Sequence, residues 1–442
     1  MIKIRRFVKF INNFKIKIYL NIIKMSYSNG SIKTEYIDPV SFVPNQRCSF
    51  ELNATKMAYL PNIRLLNLGC DNDQADQSYN LGLGAQNLIK NIRLMDARTE
   101  LSAMRNASPY GFFKNMTNTN NENRSVECYL KRNKLGFEMN GLNNKVANLY
   151  DTGQSSTVAS GNTTSAYIDL RELLPLLGRI PILPTNIFKN LRLEIEFNAS
   201  ATQQILQANN LVPNVLRPVL AVDYVDEDRV VAPMMAVLQR GVQWDEIEWD
   251  NFLMPAVDTT GYGVADVKAV SVNNQSLGFR GKVINRLLVA KTAVGLATEL
   301  NGNAVLGFGA PVSSQALLGE QFQIRLNGKN VFPGAGGVVG PNQMLGTLVD
   351  AYGDHQAYPS SNQYKWTLGN GNLENPLIGG QAAWDCCEIG ARVADLQLSI
   401  TRDTNRDTSV RAPTNQAIQV NMYAEINKVL SFQNGSYSIV YA

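Results

Sequence analysis

Histidine is almost missing from this 442-residue chain, with His355 the only one. A multi-histidine metal site is therefore excluded, and any general base has to be His355 or a carboxylate. Cysteine is scarce as well. The five are Cys48, Cys70, Cys128 and the adjacent pair Cys386–Cys387. An odd number, wide scatter and no CxxC spacing build neither a zinc site nor a disulfide framework. They read as reduced, mostly buried thiols of a protein made inside a cell. Strong charge of either sign is also lacking. The formal net charge is +4, with 18% charged and 45% hydrophobic residues, which is the composition of a globular protein.

That small net charge hides an asymmetry. Residues 1–30 carry Lys3, Arg5, Arg6, Lys9, Lys15, Lys17 and Lys24 and no acid. Removing these seven from +4 leaves the rest of the chain at −3. A near-neutral body argues against a dedicated nucleic-acid-binding domain, which would show a concentrated basic face. Within the basic segment Phe7, Phe10, Ile11, Phe14 and Ile18 fall at helical spacing. This pattern fits a basic amphipathic helix on a membrane surface or against nucleic acid. Lys15, Lys17 and Lys24 interrupt every apolar run short of a membrane span, and no small-residue cleavage site marks a signal peptide. A third reading starts from Met25-Ser26-Tyr27-Ser28, which resembles a natural start and would leave residues 1–24 out of the mature protein.

What the chain has in quantity is period-two alternation. Leu191, Leu193, Ile195 and Phe197 alternate with Arg192, Glu194 and Glu196, and Leu220, Val222 and Tyr224 follow. Near the other end Ile418, Val420, Met422, Ala424 and Ile426 alternate with Gln419, Asn421, Tyr423 and Glu425. Such runs predict strands with one buried and one wet face. Further strand signals lie at Phe50–Leu52, Ile63–Leu65, Leu88–Leu94, Trp244–Trp249, Val283–Val289 and Leu396–Ile400. Phe322–Leu326 ends in Asn327-Gly328, a hairpin dipeptide. Helical composition appears at Ala97–Arg105, ended by Pro109-Tyr110-Gly111, and at Gln343–Tyr352 after Asn342. Residues 115–124 and 152–164 are polar, turn-prone loops. Patterning lapses between Val225 and Gln243, which places an inter-domain link near Asp226–Arg240. The length exceeds one ordinary core. The reading is all-β: a basic N-terminal segment over 1–40, then one sandwich or jelly roll over 41–236 and another over 237–442, with few short helices.

Particular segments carry a resemblance. Ser165-Ala-Tyr-Ile-Asp-Leu-Arg-Glu-Leu-Leu-Pro-Leu-Leu, then Ile182-Leu-Pro-Thr and Asn190-Leu-Arg-Leu-Glu-Ile-Glu-Phe, resembles the late first-barrel segment of double-jelly-roll major capsid proteins of polinton-like viruses and virophages. Ala412–Leu430 and Tyr437-Ser-Ile-Val-Tyr441 resemble the closing strands of the second barrel, and Gln321–Pro333 a mid-barrel strand and turn. The resemblance implies two eight-stranded jelly rolls standing side by side. It implies homotrimeric capsomers of pseudo-hexagonal outline that tile an icosahedral virion shell around a DNA genome, assembled inside the host cell. Implied partners are neighbouring copies, penton and minor capsid proteins, and genome or membrane through the basic N-terminus. No enzymatic activity, catalytic residue, metal or cofactor is implied. The chain is shorter than many relatives, which points to trimmed loops.

Chemical alternatives are thin. Cys386 or Cys387 with His355 and Asp354 makes a nucleophile–base set only if the fold brings them together. Asp245, Glu246, Glu248 and Asp250 alternate with Trp244, Ile247 and Trp249, as a glycosidase or calcium site would require, but also as any solvated strand face would show. Gly334–Gly340 and Gly82-Leu-Gly84 lack the spacing of phosphate loops and read as bends. Asn115-Met-Thr and Asn198-Ala-Ser are sequons expected by chance in an Asn-rich chain. The runner-up functions are a vertex, spike or fibre protein of β-sandwich modules and a two-domain carbohydrate-active protein.

Overall fold

In the computed structural model the described residues are 32–54, 56–68, 77–79, 88–107, 110, 156–158, 166–179, 182–198, 215–225, 227–253, 269–276, 279–294, 305–306, 320–334, 336–339, 347, 384–403 and 417–441. The first half begins with β1 (Ile32–Ile37), β2 (Ser41–Val43), β3 (Arg47–Glu51) and β4 (Met57–Leu68). Next come β5 (Gln77–Tyr79), β6 (Ile89–Asp96), β7 (Thr99–Arg105) and β8 (Ser156–Val158). It closes with β9 (Ala166–Asp169), α1 (Pro175–Arg179), β10 (Ile182–Leu183), β11 (Leu191–Phe197) and β12 (Val219–Val225). One sheet runs β1-β12-β4-β10 with β9 also on β4, and the facing sheet runs β2-β3-β11-β6-β7.

The second half repeats the scheme after α2 (Asp228–Arg240). Its strands are β13 (Val242–Leu253), β14 (Ala269–Ser276), β15 (Val283–Val294), β16 (Val305–Leu306), β17 (Glu320–Leu326) and β18 (Lys329–Asn330). They continue as β19 (Val338–Val339), β20 (Trp384–Arg392), β21 (Leu396–Asp403), β22 (Ala417–Gln433) and β23 (Ser436–Tyr441). β13-β22-β15 form one sheet with β16 and β20 on β15 and β23 on β22, while β14-β21-β17-β18 with β19 form the other. In each half the first strand pairs with the long closing strand, β1 with β12 and β13 with β22, to which the second half adds β23 on the outer edge. A following strand pairs with the one just before that closing strand, β3 with β11 and β14 with β21. This nested antiparallel wrap is the jelly roll, so the chain is a double jelly roll.

Local sequence explains the strands that alternate cleanly. On β11 Leu191, Leu193, Ile195 and Phe197 are buried, and the charged residues between them face outward. There Arg93 meets Glu194 at 2.8 Å and Lys90 meets Glu196 at 2.9 Å, a cross-strand grid on the exposed side. β12 departs from the expectation of one wet face. All of Leu220–Val225 is buried, and Asp223 is satisfied by the Thr34 hydroxyl, which donates to it at 2.6 Å.

Two other expectations are corrected. Ala97–Arg105, helical by composition, is a turn followed by strand β7, and Ala97 takes a left-handed φ of 51°. Pairing of β7 against β6 supplies hydrogen bonds and burial that exceed a helix preference of a few tenths of a kcal/mol per residue. The first roll also starts ahead of residue 41, because β1 lies in its sheet. The link expected near Asp226–Arg240 is α2. Its Val231, Met234, Met235 and Leu238 pack on the core at helical spacing, and Gly241 ends it with a φ of 96°. The basic N-terminus and nearly all of the helix expected at Gln343–Tyr352 lie outside the described residues.

Candidate functional site: the seam between the two rolls

The two rolls share one apolar contact, and polar groups gather around it. It is built from β22, the longest strand. Met422, Ala424 and Ile426 belong to the core of the second roll, while Tyr423, Leu430 and Phe432 join the apolar cluster of the first. Residues 421–426 are therefore buried throughout, which corrects the reading of a strand with one wet face. Tyr423 reads as a wet position because the sequence does not show the first roll packing over it.

Phe432 anchors the seam. Its ring lies 4.7 Å from Trp244 on β13, 6.0 Å from Phe188 of the first roll and 6.4 Å from Tyr437 on β23. Phe188 in turn meets Tyr437 edge-on at 5.0 Å. Aromatic pairs in these geometries contribute about 0.5–1.5 kcal/mol each beyond the area they bury. Around this apolar centre, polar groups from one roll find partners in the other. The Tyr423 hydroxyl donates to the Asn106 carbonyl at 2.6 Å, and Tyr437 donates to Asp96 Oδ2 at 2.9 Å. Asp96 Oδ1 accepts from the Asn190 amide at 2.8 Å. Lys428, only 1% exposed, donates from Nζ to the Leu101 carbonyl.

The two seam phenols are held in the protonated form. Burial pushes the Tyr437 phenol up to about 12, helped by the Asp96 carboxylate that takes its hydrogen bond. Burial likewise holds Tyr423 well above the usual phenol range. Both phenols therefore remain hydroxyl donors at neutral pH.

The chemical candidates do not assemble. Cys387 is buried on β20, and burial raises its thiol far above the usual value, the opposite of an activated nucleophile. Cys48 behaves alike, pushed up to about 12. His355, Asp354, Cys70, Cys128, Asn115, Gly82 and Gly84 lie outside the described residues. Cys386 sits beside Cys387 on β20, and Asp245, Glu246, Glu248 and Asp250 sit on β13 along its pairing with β22. Of the glycine stretch 334–340, Val338–Val339 pairs with Gln321–Phe322, so it borders a sheet edge. The Asn198 amide donates to the Leu88 carbonyl at 2.9 Å. Among the described residues no group of three or more His, Cys, Asp or Glu is placed to hold a metal, and no helix is long and apolar enough to cross a membrane. Sequence reasoning missed the seam residues Asp96, Phe188, Lys428 and Tyr437. The only signal was Lys428 standing in the strand run Ile426-Asn427-Lys428-Val429-Leu430.

No protein-family model matches the chain, and no curated protein does. Solved structures do match its fold. PBCV-1 VP54, as fitted into a reconstruction of the virophage Sputnik, is similar with a TM-score of 0.56 at 13% identity, over 93% of this chain and 97% of that one. A cryo-EM structure of the Sputnik virophage is similar at 0.55 and 11% identity, covering 92% of this chain and 88% of that one. The mavirus major capsid protein is similar at 0.51 and 8% identity, covering 92% and 90%. At these identities the likeness is one of fold, and it runs through both rolls.

Proposed function

We propose that this chain is a major capsid protein whose homotrimers, pseudo-hexagonal in outline, tile an icosahedral virion shell around a DNA genome. The observation that carries the reading is the pair of same-topology rolls locked side by side by one shared aromatic core. Fold likeness over 92% of the chain to the mavirus major capsid protein supports it. Two rolls per copy give a trimer six near-equivalent lobes, the outline that packs a plane hexagonally. Closed symmetry then reuses one interface many times. A stiff seam suits that role, because a joint that flexed would blur the angles between neighbouring capsomers. On this reading the chain catalyses no reaction, and its partners are its own copies together with penton and minor capsid proteins.

Negative-stain microscopy and sedimentation of the purified protein test this. Uniform trimers with a hexagonal outline, or closed shells, are expected. Monomers at every concentration, pentamers or elongated spikes overturn the proposal, the last two in favour of a vertex or fibre role.

A further inference from the structure

The tight turns of the second roll are tied together at one end. Asn327, in the β17–β18 turn, reaches across to the β20–β21 connection. Its Nδ2 donates to the Arg392 carbonyl at 3.2 Å, and its Oδ1 accepts from the amides of Ala394 at 2.8 Å and Asp395 at 3.0 Å. The turn before β15 joins the same connection. The Gly281 amide donates to the Val393 carbonyl at 2.7 Å, and the Val393 amide to the Lys282 carbonyl at 3.0 Å.

On this cap stand Arg280, Lys282, Arg325, Lys329 and Arg392, all exposed except the half-buried Lys282. Arg280, Lys329 and Arg392 make no ion pair among the described residues. Arg325 reaches only the Gly328 carbonyl, at 3.4 Å. The carboxylate of the cap, Asp395, is engaged by Gln397 Nε2 at 2.9 Å. The first roll adds to the same end. Its Ala97 amide donates to the Asn190 carbonyl at 3.0 Å, which brings exposed Arg98 and Lys189 close together. Strand β23 spans the two caps: Tyr437 bonds Asp96 of the first roll, and the Lys282 ammonium lies 5.7 Å over the Tyr441 ring. A six-residue strand is about 20 Å long, so both caps share one side of the molecule. A near-neutral total thus still leaves Arg280, Lys282, Arg325, Lys329 and Arg392 together on this cap.

We infer that this turn-rich end is the nucleic-acid-facing surface of the subunit, binding phosphate backbone without reading base sequence. The inference rests on the capsid reading. Exposed arginine forks with no carboxylate partner among the described residues suit phosphate oxygens, and neutralising phosphates releases their counterions. A lipid surface is the weaker fit, because peripheral insertion needs apolar side chains beside the cations. Of the large exposed hydrophobics among the described residues, Tyr441 lies beside the cap under Lys282, with Val440 next to it in the chain, and Tyr36 and Val40 belong to the first roll, so the cap carries too few apolar side chains for an inserting face.

The test uses the full chain and a mixed-sequence duplex DNA, with anisotropy titrations across salt. Each phosphate that the protein no longer neutralises lowers the slope of log affinity against log salt by about 0.9. The variant Arg280→Gln/Lys329→Gln/Arg392→Gln is therefore expected to lower it by about 2.7, so that the affinity ratio between about 50 and about 200 mM salt shrinks about 40-fold. A control of equal charge change at exposed cations of the first roll that are already paired with Glu196, Glu194 and Glu100, Lys90→Gln/Arg93→Gln/Arg105→Gln, keeps the wild-type slope. Because the basic N-terminus is the same in all three proteins, the difference reads the cap alone. Equal slopes for cap and control variants overturn the inference, as does wild-type binding to phosphatidylserine vesicles without binding to DNA. Sedimentation of the same samples separates the two readings. Trimers with equal slopes sink only the nucleic-acid surface, whereas monomers throughout sink the capsid reading and this surface with it.

Discussion

Replacing Phe432 with alanine should weaken the joint between the rolls more than either roll itself. The side chain is 1% exposed, and its burial is worth about 2–3 kcal/mol. Its packing against Trp244, Phe188 and Tyr437 is partly retained by the surviving aromatics, so removing the ring costs about 1–2 kcal/mol more. The expected total is therefore about 4 kcal/mol, within the range for phenylalanine-to-alanine changes in packed cores. The chain carries its own reporter. All four tryptophans, Trp244, Trp249, Trp366 and Trp384, lie in the second half. Tryptophan fluorescence therefore follows the second roll, while far-ultraviolet circular dichroism follows both. In urea the wild-type curves should coincide, because Leu430 and Phe432 of the second half belong to the core cluster of the first. In the Phe432→Ala protein the two probes should separate. A loss below about 1 kcal/mol, or coincident curves in the variant, would refute the claim that this ring couples the rolls.

Further outcomes follow from the same geometry. Tyr437→Phe leaves Asp96 Oδ2 without its donor and should cost about 1–3 kcal/mol by urea titration. Phenols whose folded pKa is raised, Tyr224 and Tyr437 to about 12, contribute stability that is fully present below the unfolded phenol value. The urea midpoint should therefore stay level through neutral pH and fall as pH rises from about 10 towards 12, and Tyr437→Phe should flatten part of that fall. Asn327→Ala removes one acceptor for two amides at a residue with a φ of 51°, so a loss of about 2–3 kcal/mol with weaker DNA binding is expected from melting and anisotropy. Native thiol labelling followed by peptide mapping should leave Cys48 and Cys387 unmodified until denaturant is added.

Much of the wall of each roll was legible because alternation is a local property. Leu191–Phe197, Phe322–Leu326 with its Asn327-Gly328 turn, and Leu396–Ile400 are strands where the period predicts them. Ala97–Arg105 was not legible. Its composition favours a helix weakly, and a hairpin partner decides against it from outside the segment. The strand at 417–433 was half legible. Its period is clear in the chain, but which of its faces meets water depends on a second roll that packs over it.

The sequence by itself determined the class of structure: an all-β chain in two repeated units, with a single histidine and five scattered cysteines that lack the spacing of a metal site or a disulfide framework. Those properties follow from composition and from a two-residue period, both of which are carried within a few neighbours. Only the tertiary structure decided how the units are joined and where their charge lies. Phe188 meets Phe432, Asp96 meets Tyr437, and Arg280, Lys329 and Arg392 gather on one cap, although each set is separated by long stretches of chain. Burial and electrostatic potential are sums over spatial neighbours, so a net charge of +4 conceals a basic end, and a strand that reads as half wet is covered on both faces.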